Sequence, residues 1–171
     1  MLSKKLNAAL NNQMNKEFYS AYAYLAAAAY FEEEELTGFA NFFRIQSQEE
    51  TQHAMRFFEY VHHAGGSAQL DAIAAPKRDF KSPLAVFEHG LNQEQTLAAE
   101  ISNLLNLSIS EKHAPTQVFL QWFISEQVEE EALFTRYIKK LKRNGQDANG
   151  LMMLDNELAA RKLDAADEAA E

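Results

Sequence analysis

Cysteine is absent from the 171-residue chain. That excludes a disulfide framework and any thiolate metal site, and it suits a reducing cytoplasm. Proline and glycine are scarce, at three and six residues, so few positions interrupt periodic segments and long helices are favoured. No apolar run approaches the roughly 18–20 residues of a membrane span. Met1 to Leu10 lacks the basic-then-apolar pattern of a signal peptide, so the mature chain is expected to begin at Met1 and to stay off the membrane. Positive charge is in deficit: 16 Lys and Arg stand against 25 Asp and Glu, for a net charge of −9. That balance disfavours non-specific binding to nucleic acid and is compatible with attracting cations. What the chain has in quantity is hydrophobic residues, 47%, against 24% charged. One globular domain spanning residues 1–171 is the simplest reading, large enough to bury roughly two-thirds of its unfolded surface.

Four long segments carry apolar residues in steps of three and four, and a shorter fifth follows. The first, about Ser3 to Glu34, has the stripe Leu10, Met14, Glu17, Ala21, Tyr24, Ala28, with Ser3 as N-cap. The second starts after Thr37, carries Phe39, Phe43, Gln46, Glu50, His53, Phe57 and Tyr60, and is stopped near Ala64 by Gly65 and Gly66. The third opens at Ser82 and Pro83, with Leu84, Phe87, Leu91, Glu94, Ala98, Ile101 and Leu105 in its stripe. The fourth runs from Pro115 to near Asn144 and Gly145, with Leu120, Phe123, Gln127, Glu130, Phe134, Tyr137 and Leu141. The last, about Asn149 to Leu163, presents Leu151, Leu154 and Leu158.

Short connections make the first two helices one antiparallel hairpin and the third and fourth another. Between the hairpins lie residues 65–81, without helical periodicity. They can span about 56 Å, whereas a 28-residue helix is about 42 Å long. The segment can therefore cross the whole bundle and set the second and third helices parallel, which accounts for so long a loop. The fold class expected is all-α: a four-helix bundle over about 3–144 with one long crossover, plus a short fifth helix over about 149–163. The Leu stripe of the fifth helix needs a cover, and the same segment of neighbouring subunits is the expected one, the alternative being that the helix folds back on its own bundle.

Polar residues interrupt these stripes at one depth. Glu50 and His53 lie one helical turn apart, and the spacing recurs as Gln127 and Glu130, 77 residues later. Each pair is preceded at an interval of 33 by a lone Glu, Glu17 and Glu94. A Glu from each of two helices and a Glu-x-x-His-type pair from each of the other two is how four-helix bundles hold two iron ions. A single such Glu has a bland explanation, a side chain reaching to water. Four carboxylates at one depth in four helices would repel or take up protons unless cations hold them together. Carboxylates with one imidazole and no sulfur suit iron or manganese better than structural zinc. Tyr24, two turns after Glu17, is placed as a hydrogen-bond or one-electron donor, or as an ordinary core aromatic. Trp122 reads as packing. Glu49, Glu126 and Glu129 each adjoin one of these positions and point toward the bundle edge, as solvated carboxylates or as a further cation site. His62, His63, His89 and His113 read as surface histidines, and Glu32 to Glu35 and the tail Asp164 to Glu171 as solvated.

With these motifs assembled, the sequence resembles the bacterial non-haem ferritins over essentially its whole length. The resemblance rests on the five-helix pattern, the long crossover, Glu17, the run Glu49-Glu50-Thr51-Gln52-His53, Glu94, and Ser125-Glu126-Gln127-Val128-Glu129-Glu130. It implies a ferroxidase centre with one iron on Glu17, Glu50 and His53 and a second on Glu50, Glu94 and Glu130, with Gln127 adjacent. Glu49, Glu126, Glu129 and Glu130 would match a third iron site. It further implies a homo-oligomeric shell of twenty-four subunits in the cytoplasm that oxidises iron(II) with O2 or H2O2 and stores ferric mineral. Thr51 stands where bacterioferritins carry their haem-ligating Met, and Gln127 and Glu130 replace their second Glu-x-x-His pair, so no haem is expected. Gln117 and Leu120 stand at the start of the fourth helix, where animal heavy-chain ferritins line a pore with carboxylates. Two other readings share the ligand types: a rubrerythrin-like di-iron oxidase or peroxidase, which carries a Cys-ligated iron domain, and a DNA-protecting mini-ferritin, which lacks the last helix and often has a basic tail.

Overall fold

A computed structural model describes residues 1–144 and 147–163. Gly145 at the expected end of the fourth helix, and the tail Asp164 to Glu171, lie outside the described residues. Among those described there are five helices and no strand: α1 (Lys4–Glu33), α2 (Thr37–His63), α3 (Pro83–Ser110), α4 (Ala114–Asn144) and α5 (Ala148–Ala159).

The core is two apolar clusters with a polar layer between them. One is aromatic, with Phe31, Phe39, Phe42, Phe43, Phe87 and Phe134 around Tyr24. The other is mostly aliphatic, built on Leu6, Leu10, Met14, Val61, Ile101, Leu104 and Leu120 with Phe57 and Phe123. Helix α1 enters at the aliphatic cluster and leaves at the aromatic one; α2 and α3 both run the opposite way; α4 runs with α1. The parallel relation of α2 and α3 is the one that the long crossover makes possible. Each helix passes the midpoint at a buried polar position: Glu17, Glu50 with His53, Glu94, and Gln127 with Glu130.

One stripe is placed differently from expectation. In α3, Leu84, Leu91, Ala98 and Leu105 are only half-buried, and Gly90, Leu97 and Leu104 face inward instead. At Gly90 an added Cβ would lie 2.3 Å from Cε1 of Phe134. Without a side chain there, the Phe134 ring packs against the α3 backbone, while Phe87, Glu94 and Ile101 of the expected stripe stay buried.

The helix ends obey local chemistry. Ser3 and Ser82 accept from the backbone N–H of Leu6 and Ala85, at 3.0 and 3.2 Å, capping α1 and α3. Three helices close through a residue with φ of 55–75°: Glu35, Gly65 and Lys112. The amides that follow, of Leu36, Gly66 and His113, donate back to the carbonyls of Phe31, Val61 and Ser108 at 2.8–2.9 Å. This is the Schellman arrangement, and only the glycine version was legible as a stop.

The crossover is tied down by three asparagines one turn apart on α1. Asn7, Asn11 and Asn15 accept from the amides of Ser67, Gln69 and Asp71 at 3.0, 2.6 and 2.8 Å. Their Nδ2 groups donate to the carbonyls of Ser67 (Asn7 and Asn11) and Gln69 (Asn15) at 2.8–3.3 Å. Alternate residues of an extended strand advance about 6.6 Å and one helical turn about 5.4 Å, so the two repeats stay in step over three contacts.

The fifth helix departs from expectation in two ways. It ends at Ala159 rather than near Leu163, and its Leu stripe packs on its own bundle: Leu154 and Leu158 are buried in the aromatic cluster, with Leu151 against it. Asp147 caps it, accepting from Gly150 N–H at 3.0 Å. Its Asp155 caps α2, whose own N-cap residue, Leu36, offers no side-chain acceptor. Oδ1 of Asp155 accepts from the amides of Gly38 and Phe39 at 2.8 and 3.0 Å.

Candidate metal centre

The polar layer exists because the 33-residue interval within each hairpin returns the chain to the same depth on the neighbouring helix. Glu17, Glu50 and His53 come together tightly, each offering one ligand-type atom, all within 4.8 Å of one another. Their side chains are 0–1% exposed. Both carboxylate oxygens of Glu50, Oε2 of Glu17 and Nε2 of His53 have no hydrogen-bond partner among the described residues. Leaving buried acceptors unpaired costs about 1–3 kcal/mol each, more for charged groups. Four such atoms on three neighbouring buried side chains are a cost that a bound cation would relieve.

Glu94 and Glu130 lie outside that tight trio but in the same layer, and other side chains hold them. Tyr24 donates its hydroxyl proton to Oε1 of Glu94. Gln127 donates from Nε2 to Oε2 of Glu94 at 3.1 Å and to its backbone carbonyl at 3.0 Å. The amide of Gln127 thus braces Glu94, with its nitrogen turned to the carboxylate. Gln46 donates to Oε2 of Glu130 at 3.0 Å, and Gln13 to Oε1 of Glu17 at 2.7 Å. Gln13 and Gln46 were not singled out from sequence. For Gln13 the available signal was its place one turn before Glu17, where a helix neighbour reaches a carboxylate; for Gln46 it was only a polar residue in the inner stripe of α2, with its partner on another helix.

The electrostatics follow from crowding without solvent. Burial pushes Glu17 up to about 7 against the Gln13 hydrogen bond. Burial pushes Glu94 to about 7 against hydrogen bonds from Tyr24 and Gln127. Glu130 rises to about 8 through burial and then the charge of Glu94, opposed by Arg161 and Gln46. Glu50 is held well above the usual carboxylate range by burial and by Glu94, Glu17 and Glu130 together. Without cations, protons therefore remain in the layer at neutral pH. His53 goes the other way, to about 3, because burial and the nearby Arg56 disfavour the imidazolium. A neutral imidazole with an unpaired Nε2 is the form that binds a metal. Its Nδ1 lies 3.6 Å from Oε2 of Glu50, too far for a hydrogen bond. The ring is held by edge contacts to Trp122 and Phe123 at centroid distances of 5.2 and 6.0 Å, and the Arg56 guanidinium covers Trp122 at 3.8 Å.

The flanking acidic group is not uniform. Glu126 is half-buried and Glu129 exposed, but Glu49, expected at a solvated edge, is 5% exposed. The segment after α5 covers it, and Nη2 of Arg161 donates to both its oxygens at 2.8 and 3.1 Å. Glu49, Glu126, Glu129 and Glu130 line one cavity of about 530 Å³, with Arg136, Arg161 and Lys162 on its other sides. Glu130 belongs to both cavity and polar layer, so the cavity is a vestibule to the centre. Of the other histidines, His89 is half-buried against Phe80, and His113 accepts at Nδ1 from the amide of Thr116 at the start of α4.

Comparison with known proteins places this geometry. The family model described as a ferritin-like domain matches residues 7–144. The chain is 44% identical to the bacterial non-heme ferritin of Staphylococcus aureus (strain USA300), over 96% of this chain and 99% of that one. It is 46% identical to the bacterial non-heme ferritin of Staphylococcus saprophyticus, over 96% and 98%. Among solved structures, a novel open-pore ferritin from the hyperthermophilic archaeon Archaeoglobus fulgidus superimposes with a TM-score of 0.94 at 43% identity, covering 95% of this chain and all of that one. A humanized archaeal ferritin gives 0.95 at 43% identity, covering 96% and 99%.

Proposed function

The chain belongs to the ferritin family, and we propose that it takes up iron(II), oxidises it at the buried carboxylate layer and stores the iron(III) product as mineral inside a shell of its own copies. The observation that carries this reading is the trio Glu17, Glu50 and His53, fully buried, with one ligand-type atom from each converging within 4.8 Å.

Iron(II) is the substrate. Glu17, Glu50 and His53 bind one ion, and Glu50, Glu94 and Glu130 a second, with Glu50 shared between them. The two charges replace the protons that burial otherwise retains on Glu17, Glu94 and Glu130. Each iron(II) gives up one electron. Two electrons with two protons take O2 to H2O2, or H2O2 to two waters. Oxidation adds one positive charge per iron, and carboxylates in a water-poor site favour the more highly charged product. Gln13, Gln46 and Gln127 hold the carboxylates in place, and Tyr24 fixes Glu94. Burial and the charges of Glu94 and Glu50 raise the pKa of Tyr24 well above its usual value, so it keeps its proton and remains a donor. Released iron(III) hydrolyses to the mineral.

Storage requires a closed assembly, here a cytoplasmic shell of twenty-four chains of 19.4 kDa, about 470 kDa. Among the described residues no helix is long and apolar enough to cross a membrane. The test is native mass spectrometry together with anaerobic iron(II) binding followed by oxygen addition. A particle near that mass that rapidly oxidises two iron(II) per subunit is expected. A small oligomer, or slow oxidation without a two-iron stoichiometry, would overturn the reading.

A further inference from the structure

The vestibule beside Glu130 is acidic on one wall and holds a cation of the protein's own on the other. After Ala159 the chain turns back along α2. Nδ2 of Asn41 holds it there, donating to the carbonyls of Leu158 and Arg161 at 3.1 Å each. The Arg161 guanidinium lies over the Phe42 ring at 4.5 Å and pairs with both oxygens of Glu49. The side chains of Arg161 and Glu49 are 18% and 6% exposed, so this is not a solvent-screened surface pair. The guanidinium does not lose its proton and cannot become a metal ligand; at Glu49 it can only compete with a metal ion.

We propose that Arg161 is a built-in counter-ion that gates the vestibule: guanidinium and metal cation compete for Glu49, and a cation occupies the Glu49–Glu126–Glu129 position only when the 160–163 segment swings away. This deepens the iron-oxidation reading and rests on it. The gate is reversible by construction. The segment is held by hydrogen bonds from Asn41 to carbonyls of Leu158, Ala159 and Arg161, one from Arg161 to the Phe42 carbonyl, a ring contact and an ion pair, all non-covalent and all at or beyond the end of α5. Displacement leaves Glu17, Glu50, His53 and Glu94 untouched. Access to the flanking position is thereby separated from binding at the buried centre. The same guanidinium also lowers the proton affinity of Glu130, the residue common to vestibule and centre.

The test is calorimetric titration of the assembled, metal-free protein with zinc(II), which is redox-inert and reports binding without turnover. For the parent, two zinc ions per subunit should bind tightly and a third weakly. Arg161→Gln should tighten the third by about tenfold or more, because a charge-assisted bidentate competitor has gone. Arg161→Lys keeps the charge and should stay near the parent. Asn41→Ala loosens the segment without altering its charge and should shift the third site in the same direction by less. It also decides the matter if Arg161→Gln does not assemble. A role confined to pinning the chain terminus would lower heat stability and leave all three zinc affinities alone. Third-site affinity unchanged or weaker in both Arg161→Gln and Asn41→Ala, with two-zinc binding intact, would overturn the gate and leave the oxidation reading standing. A parent that takes up no zinc at the buried carboxylates would overturn both.

Discussion

Oδ1 of Asp155 lies 2.8 Å from the amide nitrogen of Gly38, so a carboxylate on the fifth helix caps the second. The contact is close enough that a Cβ on Gly38 would sit 1.7 Å from the backbone oxygen of Asp155. A negative charge at a helix N-terminus also meets the positive end of the helix dipole. Asp155→Ala should cost about 0.5–2 kcal/mol in chemical denaturation. Asp155→Asn, which keeps an acceptor, should recover most of it. Equal losses from both variants would mean that the cap contributes little.

Because Leu158 is fully buried among the aromatic side chains, its truncation should damage the subunit itself. Leu158→Ala is expected to lose about 2–5 kcal/mol, the usual range for a large-to-small core change. The loss should appear in the unfolding of the subunit at any protein concentration. A change seen only as concentration-dependent dissociation would show that this leucine serves contacts between subunits instead.

Glu17→Ala and His53→Ala each remove one member of the converging trio. Rapid oxidation of iron(II), followed by stopped-flow absorbance at two iron per subunit, should fall by at least about 10²-fold in either variant. The helical fold should survive, since Glu17→Ala also removes a carboxylate that burial penalises. An undiminished fast phase in either protein would remove these residues from the centre.

Stability of the metal-free protein should fall as pH rises from about 5 to about 8. Folding raises Glu17 and Glu94 to about 7 and Glu130 to about 8 from an ordinary value of 4.5. In that window the unfolded chain has released protons that the folded chain still holds, so the slope of stability with pH is negative. His53, lowered from 6.5 to about 3, opposes this, because below 6.5 the unfolded chain binds a proton the folded one refuses. One imidazole is outnumbered by the carboxylates. Saturating zinc(II) should displace the retained protons and abolish the decline. Differential scanning calorimetry across that range checks both, and a Tm that climbs between pH 6 and 8 without metal would refute the argument.

Asn11 is the central rung on the crossover. Its side chain is 5% exposed, with Oδ1 accepting from Gln69 and Nδ2 donating to Ser67. Asn11→Ala leaves the Gln69 amide to find water, while the Ser67 carbonyl keeps its bond from Asn7, and should cost about 1–3 kcal/mol. Hydrogen exchange at the Gln69 amide should accelerate well before the helices open. Unaltered exchange there would show that the crossover is held by something else.

What the sequence determined by itself was whatever depends on repetition. Helical periodicity, the serine caps, the 33-residue intervals and the length of residues 65–81 are one-dimensional facts. In a four-helix bundle they admit essentially one arrangement, with Glu17, Glu50, His53, Glu94 and Glu130 at a single depth. Asn7, Asn11 and Asn15 also repeat, yet asparagine is common on exposed helix faces, and only the crossover running beside them shows their purpose. Tertiary structure alone decided the contacts between segments with no shared period. Gly90 lets the Phe134 ring lie against the α3 backbone, where a Cβ would leave no room. Leu154 and Leu158 find their cover in their own bundle because the aromatic cluster extends to that end. Arg161 meets Glu49 across 112 residues because α5 stops at Ala159 and the chain folds back over α2. A lone arginine near a C-terminus carries no sequence signal of its target; a buried carboxylate within reach of its side chain supplies one.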